Sequence, residues 1–149
     1  MKNKIVRQKL LKVTLKYIFL FLLFGSIYFG IECLWRWRLA DWRMAVMGGV
    51  IAVLIGMMNN LFSRDTSFIL QCIIGTLLAT LGEAILGCYW LERGVHIWDY
   101  SGLPFTYVNG TVNLFFSLGW FLLSALCIVM DDFIRWWFFH EKKPHYKLR

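Results

Sequence analysis

Proline is scarce in this chain, with two prolines among 149 residues. Neither falls within the four long apolar stretches, which cover residues 17–35, 44–62, 67–90 and 112–130. Each stretch is close to the roughly 20 residues that a membrane-spanning helix needs. Lipid offers the backbone no hydrogen-bonding partner, so a spanning segment must satisfy its own backbone groups, as an unbroken helix does. The sequence therefore predicts an all-α membrane protein, a four-transmembrane-helix bundle in a single membrane domain.

Acidic residues are also few, nine against 16 Lys and Arg, which gives a net charge of +7. Such an excess can indicate nucleic-acid binding, but most of it falls in the N-terminal segment 1–16, at Arg64 and in the tail 131–149. Four spans place these three regions on one side, and the positive-inside rule assigns that side to the cytoplasm. We therefore predict a plasma-membrane protein with both termini in the cytoplasm and the loop 91–111 outside. No nucleic-acid partner is expected.

Several motifs of enzyme chemistry are missing. No G-x-x-x-x-G-K-[ST] loop occurs, so any ATPase would have to be a separate chain. The four cysteines lack C-x-x-C spacing, and we expect neither a metal nor a cofactor. Four spans are few for a translocation path, so the expected partners are the lipid bilayer and either further copies of the chain or a second subunit.

Two acidic residues, Glu32 and Glu83, lie within apolar stretches. An ionised carboxylate in hydrocarbon costs several kcal/mol, so such a residue usually faces the bundle interior and is a candidate for function. Asn113, Ser117 and Trp120 follow at helical spacing in the fourth stretch and share one face. With the N terminus inside, Glu32, Glu83 and Asn113 fall at the same outer level. The sequence therefore predicts an outward-facing acidic pocket.

The outer loop adds His96, Trp98 and Asp99 to this pocket. Apolar residues in the loop, among them Leu103 and Phe105, are expected to dip back into the bundle, so the pocket is either open outward or capped by this loop. The full predicted set for substrate or ion binding is Glu32, Glu83, His96, Trp98, Asp99, Asn113, Ser117 and Trp120.

Structural roles for the same residues stay open. The two glutamates could be neutralised near the membrane boundary by one of three arginines, Arg36, Arg38 and Arg93. His96 could be a hydrogen-bonding loop residue, and Asp99 could cap a turn through its own backbone.

Asp131 and Asp132 follow the fourth stretch, and Arg135 comes one helical turn later. At this position we expect solvated ion pairs, which contribute little to stability.

Short motifs along residues 17–146 resemble one membrane-protein family. They are Met47-Gly48-Gly49, the glutamate of the third stretch, Trp98-Asp99-Tyr100-Ser101, Leu103-Pro104-Phe105, Gly110, Phe116-Ser117-Leu118 with Trp120, and Asp131-Asp132 before Arg135. This pattern resembles the CmpB-like ABC-transporter type IV membrane proteins, and the W-D-Y-S-x-x-P element is its most specific part. Thr106 and Asn60 stand where the family pattern has an asparagine and an acid. The resemblance implies a small polytopic protein of the permease type.

The sequence thus predicts a transporter or permease-like subunit whose acidic pocket binds a proton, a cation or a small polar substrate. Two alternatives remain. One is an intramembrane enzyme for a lipid-linked substrate, with Glu83, His96 and Asp99 as acid and base under a lid that carries Trp98. The other is a scaffold or assembly protein without chemistry of its own, whose small-residue faces bind partners.

Overall fold

A computed structural model of the chain describes residues 2–62 and 66–148, without the side chains of residues 2, 3 and 59. The described part contains the helices α1 (Lys2–Arg36), α2 (Trp42–Leu61), α3 (Phe68–Leu91) and α4 (Leu114–Phe139), with strands β1 (Thr106–Tyr107) and β2 (Val112–Asn113) between α3 and α4. By length and composition α1, α3 and α4 can cross a membrane, and α2 is a shorter apolar helix. The prediction of a helical, membrane-type fold is confirmed to this extent.

Two helices extend well beyond the predicted spans. α1 begins at Lys2, so residues 2–16 of the basic segment belong to the same helix, and they contain neither proline nor glycine to interrupt it. α4 runs past residue 130 to Phe139 and ends where His140 adopts a left-handed backbone conformation, with φ of 52°. Pro144 follows shortly afterwards, as is common beyond a helix end. Asp131, Asp132 and Arg135 are therefore helical residues.

Small residues bring the helices close together inside the bundle. α1 packs chiefly against α2, where a Cβ added at Gly25 would lie 2.6 Å from the Ala45 carbonyl oxygen. A Cβ at Gly48 would lie 2.5 Å from the Tyr28 ring. α3 packs chiefly against α4, where a Cβ at Gly75 would lie 2.7 Å from Ser124 Oγ. These glycines are needed for close helix approach, as is usual in membrane bundles.

The connection between α3 and α4 covers one end of the bundle, which we call the loop end (residues 92–113). Ile97, Trp98 and Tyr100 are buried against the helices, as expected for a loop that dips back. Leu103 and Phe105 are exposed, contrary to the expectation for these two residues. They lie outside because the chain turns there into the β1–β2 hairpin.

The opposite end, which we call the tail end, carries the C terminus of α4 and the N terminus of α3. Residues 140–148 fold back across it instead of leaving the bundle. Phe68 N donates to Lys147 O at 2.8 Å, and the Tyr146 hydroxyl donates to Asp132 Oδ2 at 2.9 Å. The Phe68 and Tyr146 rings also meet, with centroids 5.2 Å apart.

Candidate functional site

Glu83 lies on the buried face of α3, with 2% of its surface exposed. The Tyr100 hydroxyl donates to Glu83 Oε1 at 3.2 Å, whereas Oε2 has no hydrogen-bond partner among the described residues. The Trp120 indole lies beside the same carboxylate without reaching hydrogen-bonding geometry. None of the ion pairs between described residues involves Glu83. Pairing with an arginine, the structural alternative, is therefore not what the structure shows for this residue.

Tyr100 belongs to the loop and keeps its proton. Burial, together with the nearby Glu83 carboxylate, raises the pKa of the Tyr100 hydroxyl far above its ordinary value. The hydroxyl is therefore the donor and Glu83 the acceptor. The Tyr100 ring also stacks on Phe116 of α4, with centroids 4.6 Å apart. The loop is in this way attached to both α3 and α4.

Glu32 is held differently. Arg36 Nε donates to Glu32 Oε2 at 2.9 Å, and the Tyr28 hydroxyl donates to Glu32 Oε1 at 2.8 Å. Arg36 also donates through Nη1 to the Ile97 carbonyl oxygen at 3.1 Å. For Glu32 the structural alternative is therefore the observed one, because its charge is neutralised within α1 and its partner holds the loop.

Aromatic side chains connect the two glutamates. Tyr28, which bonds Glu32, stacks on Trp120 with ring centroids 5.2 Å apart. Trp120 in turn lies beside Glu83. We call this group the loop-end cluster, and it consists of Tyr28, Glu32, Arg36, Glu83, Tyr100 and Trp120. Within it Glu83 is the acid that has no cation.

Asn113 is fully buried and serves as a connector. Its Nδ2 donates to Pro104 O and to Thr106 Oγ1, each at 2.8 Å, and its Oδ1 accepts from Phe115 N at 2.9 Å. The last bond caps the N terminus of α4. Sequence spacing placed Asn113 in the pocket, but its amide is occupied by these structural bonds. Ser117, one turn into α4, is half-buried.

Of the remaining loop residues of the predicted site, Asp99 and His96 are exposed and Trp98 is buried. Asp99 is exposed and accepts hydrogen bonds from the backbone N–H and hydroxyl of Ser101, which lower its pKa below the ordinary value. This is the turn-capping role left open above. His96 is exposed, and Trp98 is buried and donates through Nε1 to Thr111 O at 2.9 Å.

The predicted pocket is therefore divided into two places. His96, Trp98 and Asp99 line a cavity of about 50 Å³ between the loop and the end of α3, and Glu83 is not among its lining residues. Glu83 lies beneath Tyr100, covered by the loop.

A second polar centre, at the tail end, was misjudged from the sequence. Asp131 and Arg135 form an ion pair at 3.2 Å, but they are 1% and 4% exposed, so the expectation of a solvated pair is wrong. Gly56 of α2 explains the burial, because a Cβ there would lie 2.6 Å from Asp131 Oδ2. The missing side chain lets the carboxylate lie against the α2 backbone.

Arg135 connects four parts of the chain. Its Nη1 donates to the Gly56 carbonyl oxygen at 2.8 Å and its Nη2 to Asn60 Oδ1 at 3.2 Å. Its Nε donates to Glu141 Oε2 at 3.0 Å, and Glu141 also pairs with Lys16 of α1 at 2.6 Å. Asn60 could have indicated this centre from the sequence, because it is a polar residue at the end of α2 that meets Arg135.

Within residues 2–62 and 66–148, no group of three or more His, Cys, Asp or Glu side chains could hold a metal ion. Cys33, Cys72, Cys88 and Cys127 are free.

Comparisons with protein-family models, with curated proteins and with solved structures each gave no match to this chain. The resemblance to the CmpB-like ABC-transporter type IV proteins therefore stays a prediction that rests on the motifs quoted above.

Proposed function

We propose that this chain is a transporter or permease-like membrane subunit in which Glu83 binds a proton or a small cation. The observation that carries the proposal is a buried carboxylate with one unbonded oxygen and no cationic partner among the described residues. A buried charge without compensation is costly, so such a site favours the arrival of positive charge. A proton is the smallest species that provides it.

The loop acts as the cover of this site. Tyr100 holds the loop to Glu83, and Arg36 holds it to α1 through the Ile97 carbonyl. Movement of the loop away from the bundle would break the Tyr100 hydrogen bond and expose the carboxylate. Binding and release at Glu83 are in this way coupled to opening at one side of the membrane.

We further propose that all four helices cross the plasma membrane with both termini in the cytoplasm. α2 has 20 residues, which as a helix span about 30 Å, close to the thickness of the hydrocarbon core. The basic segment 1–16 and the tail then face the cytoplasm, in agreement with the positive-inside rule. Fusions of green fluorescent protein and of alkaline phosphatase after residue 149 test this. Fluorescence without phosphatase activity is expected, and the reverse would contradict the topology.

Oligomerisation and a partner belong to the same proposal. A path for substrate through four helices is narrow, so a second copy of the chain or another subunit completes it. Any ATP hydrolysis is assigned to a separate chain.

The two alternative functions receive less support from the contacts. The enzyme hypothesis needs Glu83, His96 and Asp99 in one site, but neither loop residue hydrogen-bonds or pairs with Glu83 in the described structure. The scaffold hypothesis needs small-residue faces free for partners, but Gly48 packs against Tyr28 inside the bundle.

The test is proton and cation flux in proteoliposomes that enclose a pH-sensitive dye, comparing Glu83→Gln with the wild type. Glu92→Gln is the matched control, because Glu92 is an exposed glutamate at the C-cap of the same helix. We expect flux to be lost in Glu83→Gln and kept in Glu92→Gln.

A second measurement addresses binding itself. Infrared difference spectroscopy on a pH change should show a carboxyl C=O band that is absent in Glu83→Gln and present in Glu92→Gln. Unchanged flux and an unchanged carboxyl band in folded Glu83→Gln protein would refute the assigned role.

A further inference from the structure

The tail end contains a polar cavity of about 490 Å³ that the proposed transport site does not use. It lies between residues 140–146 of the tail and the ends of α2, α3 and α4. The basic side chains that line it are Arg135, His140, Lys142, Lys143 and His145.

The tail is fixed over this cavity on both sides. At one side, Glu141 pairs with Lys16 at 2.6 Å and with Arg135 at 3.0 Å. At the other side, the Tyr146 hydroxyl bonds Asp132, and Lys147 O accepts from Phe68 N. Lys142 and Lys143 belong to the segment between these attachments, so the fold itself places them over the cavity.

Positive charge exceeds negative charge by a small margin among the lining side chains, where Arg135, Lys142 and Lys143 stand against Asp132 and Glu141. Arg135 and Lys16 balance Asp131 and Glu141, and the Asp132 carboxylate accepts a hydrogen bond from the Tyr146 hydroxyl. Lys142 and Lys143 have no acidic partner among the described residues. The Lys143 ammonium lies 5.9 Å from the centre of the Trp136 ring.

Arg135 also keeps an unused donor. It makes four hydrogen bonds, two through Nη1 and one each through Nε and Nη2, whereas a guanidinium has five N–H groups. The remaining N–H is on Nη2, at a side chain that is 4% exposed and lines the cavity. The site thus combines a buried, fixed guanidinium with two ammonium groups.

We propose that this cavity binds a phosphate group. Arg135, Lys142 and Lys143 present hydrogen-bond donors to the cavity from different directions. A tetrahedral phosphate fits them, because its acceptor oxygens also point in several directions. The same chemistry comes from two sources, the headgroup of an anionic phospholipid or free phosphate. Exposed Trp137 and Phe138 beside the cavity end of α4 place it at a level where a lipid headgroup is within reach.

The experiment uses the full chain in phosphate-free maltoside micelles at neutral pH and constant ionic strength. Inorganic phosphate is titrated by calorimetry, and phosphatidylglycerol binding is measured by native mass spectrometry, with phosphatidylcholine as the zwitterionic reference. The test variant is Lys142→Gln/Lys143→Gln. The control is Lys4→Gln/Lys9→Gln, which removes the same charge from exposed positions of α1.

We expect the test variant to bind roughly 10- to 30-fold more weakly than the wild type, and the control to stay within about twofold. Binding of both probes assigns the site to phosphate itself, and binding of phosphatidylglycerol alone assigns it to a headgroup. The proposal is overturned if the wild type binds neither probe, or if both double variants lose affinity equally, since the effect would then be one of net charge. Neither result bears on flux through Glu83.

Discussion

Tyr100 donates its hydroxyl to Glu83, 17 positions earlier in the chain, and this bond joins the loop between α3 and α4 to the acid of α3. It is the only hydrogen bond from a described residue that the Glu83 carboxylate accepts. The conformation of the loop and the hydrogen bonding of the carboxylate are therefore linked, and a substitution of either residue affects both.

Tyr100→Phe removes the donor and leaves the ring in place. The Glu83 carboxylate then accepts no hydrogen bond from the described residues, and the loss of a partner for a buried group costs about 1–3 kcal/mol. Unfolding in mixed micelles, followed by circular dichroism, measures it. Tyr107→Phe is the control, because Tyr107 is an exposed tyrosine of β1. Equal stabilities of the two variants would argue against the Tyr100–Glu83 bond.

Gly56→Ala tests the tail-end centre. The added Cβ would lie 2.6 Å from the Asp131 carboxylate, so the pair with Arg135 must shift, and overpacking of this kind costs about 1–3 kcal/mol. Gly30→Ala is the control, since a Cβ there meets nothing within 4 Å. In that variant we expect no loss, or a gain of up to about 1 kcal/mol from helix propensity. A neutral Gly56→Ala would show that the α2–α4 contact is looser than described.

Asn113→Ala removes the cap of α4 and two bonds to the loop. We expect a loss of about 1–3 kcal/mol, combining a typical cap with the hydrogen bonds to Pro104 O and Thr106 Oγ1. Ser117→Ala, on the same helix, should change stability little, since the half-buried Ser117 side chain makes no hydrogen bond to the described residues. Chemical denaturation compares the two, and a larger loss in Ser117→Ala would contradict the assigned roles.

Attachment of the tail should depend on pH through Glu141. Burial alone would raise the pKa of Glu141, but Lys16 and Arg135 outweigh it and lower the pKa below its ordinary value. Its contribution to stability is therefore fully present above the ordinary carboxyl pKa, near 4.3, and is lost as the pH falls through the lowered value.

Hydrogen exchange of residues 140–148, corrected for the intrinsic pH dependence, is the measurement. Protection should be constant from neutral pH down to about pH 5 and fall below about pH 4 in the wild type. Glu141→Gln should show the low protection at every pH. Protection that falls already near neutral pH would point to another group.

Much of the fold could be read from apolar length alone, because a lipid-embedded helix has few alternatives. The bounds of α2 and α3 match the predicted spans to within two residues. The ion pair between Arg36 and Glu32 was one of the structural alternatives that the sequence offered, since residues four apart on a helix are neighbours.

The tail-end centre could not be predicted in the same way. Asp131 and Arg135 are four residues apart, as are Glu32 and Arg36. This spacing indicates an ion pair, but it does not indicate whether the pair is buried. Burial depends on which residue of α2 lies opposite, and Gly56 occupies that position only because of how α2 and α4 pack. Likewise, Asn109-Gly110 indicates a turn, and both residues have positive φ, but the dipeptide does not indicate that the β1–β2 hairpin brings Asn113 to cap α4 and bond the loop.

The pairing of Glu32 with Arg36 bears on the order in which the chain matures during synthesis. Both charges belong to one helix, so the partner of Glu32 is already present once α1 has been synthesised and has folded. Glu83 has no such helper within α3, and its donor emerges only with residue 100. We therefore expect a chain truncated before Tyr100 to leave this carboxylate without its donor, and to be less stable than a chain truncated after the loop.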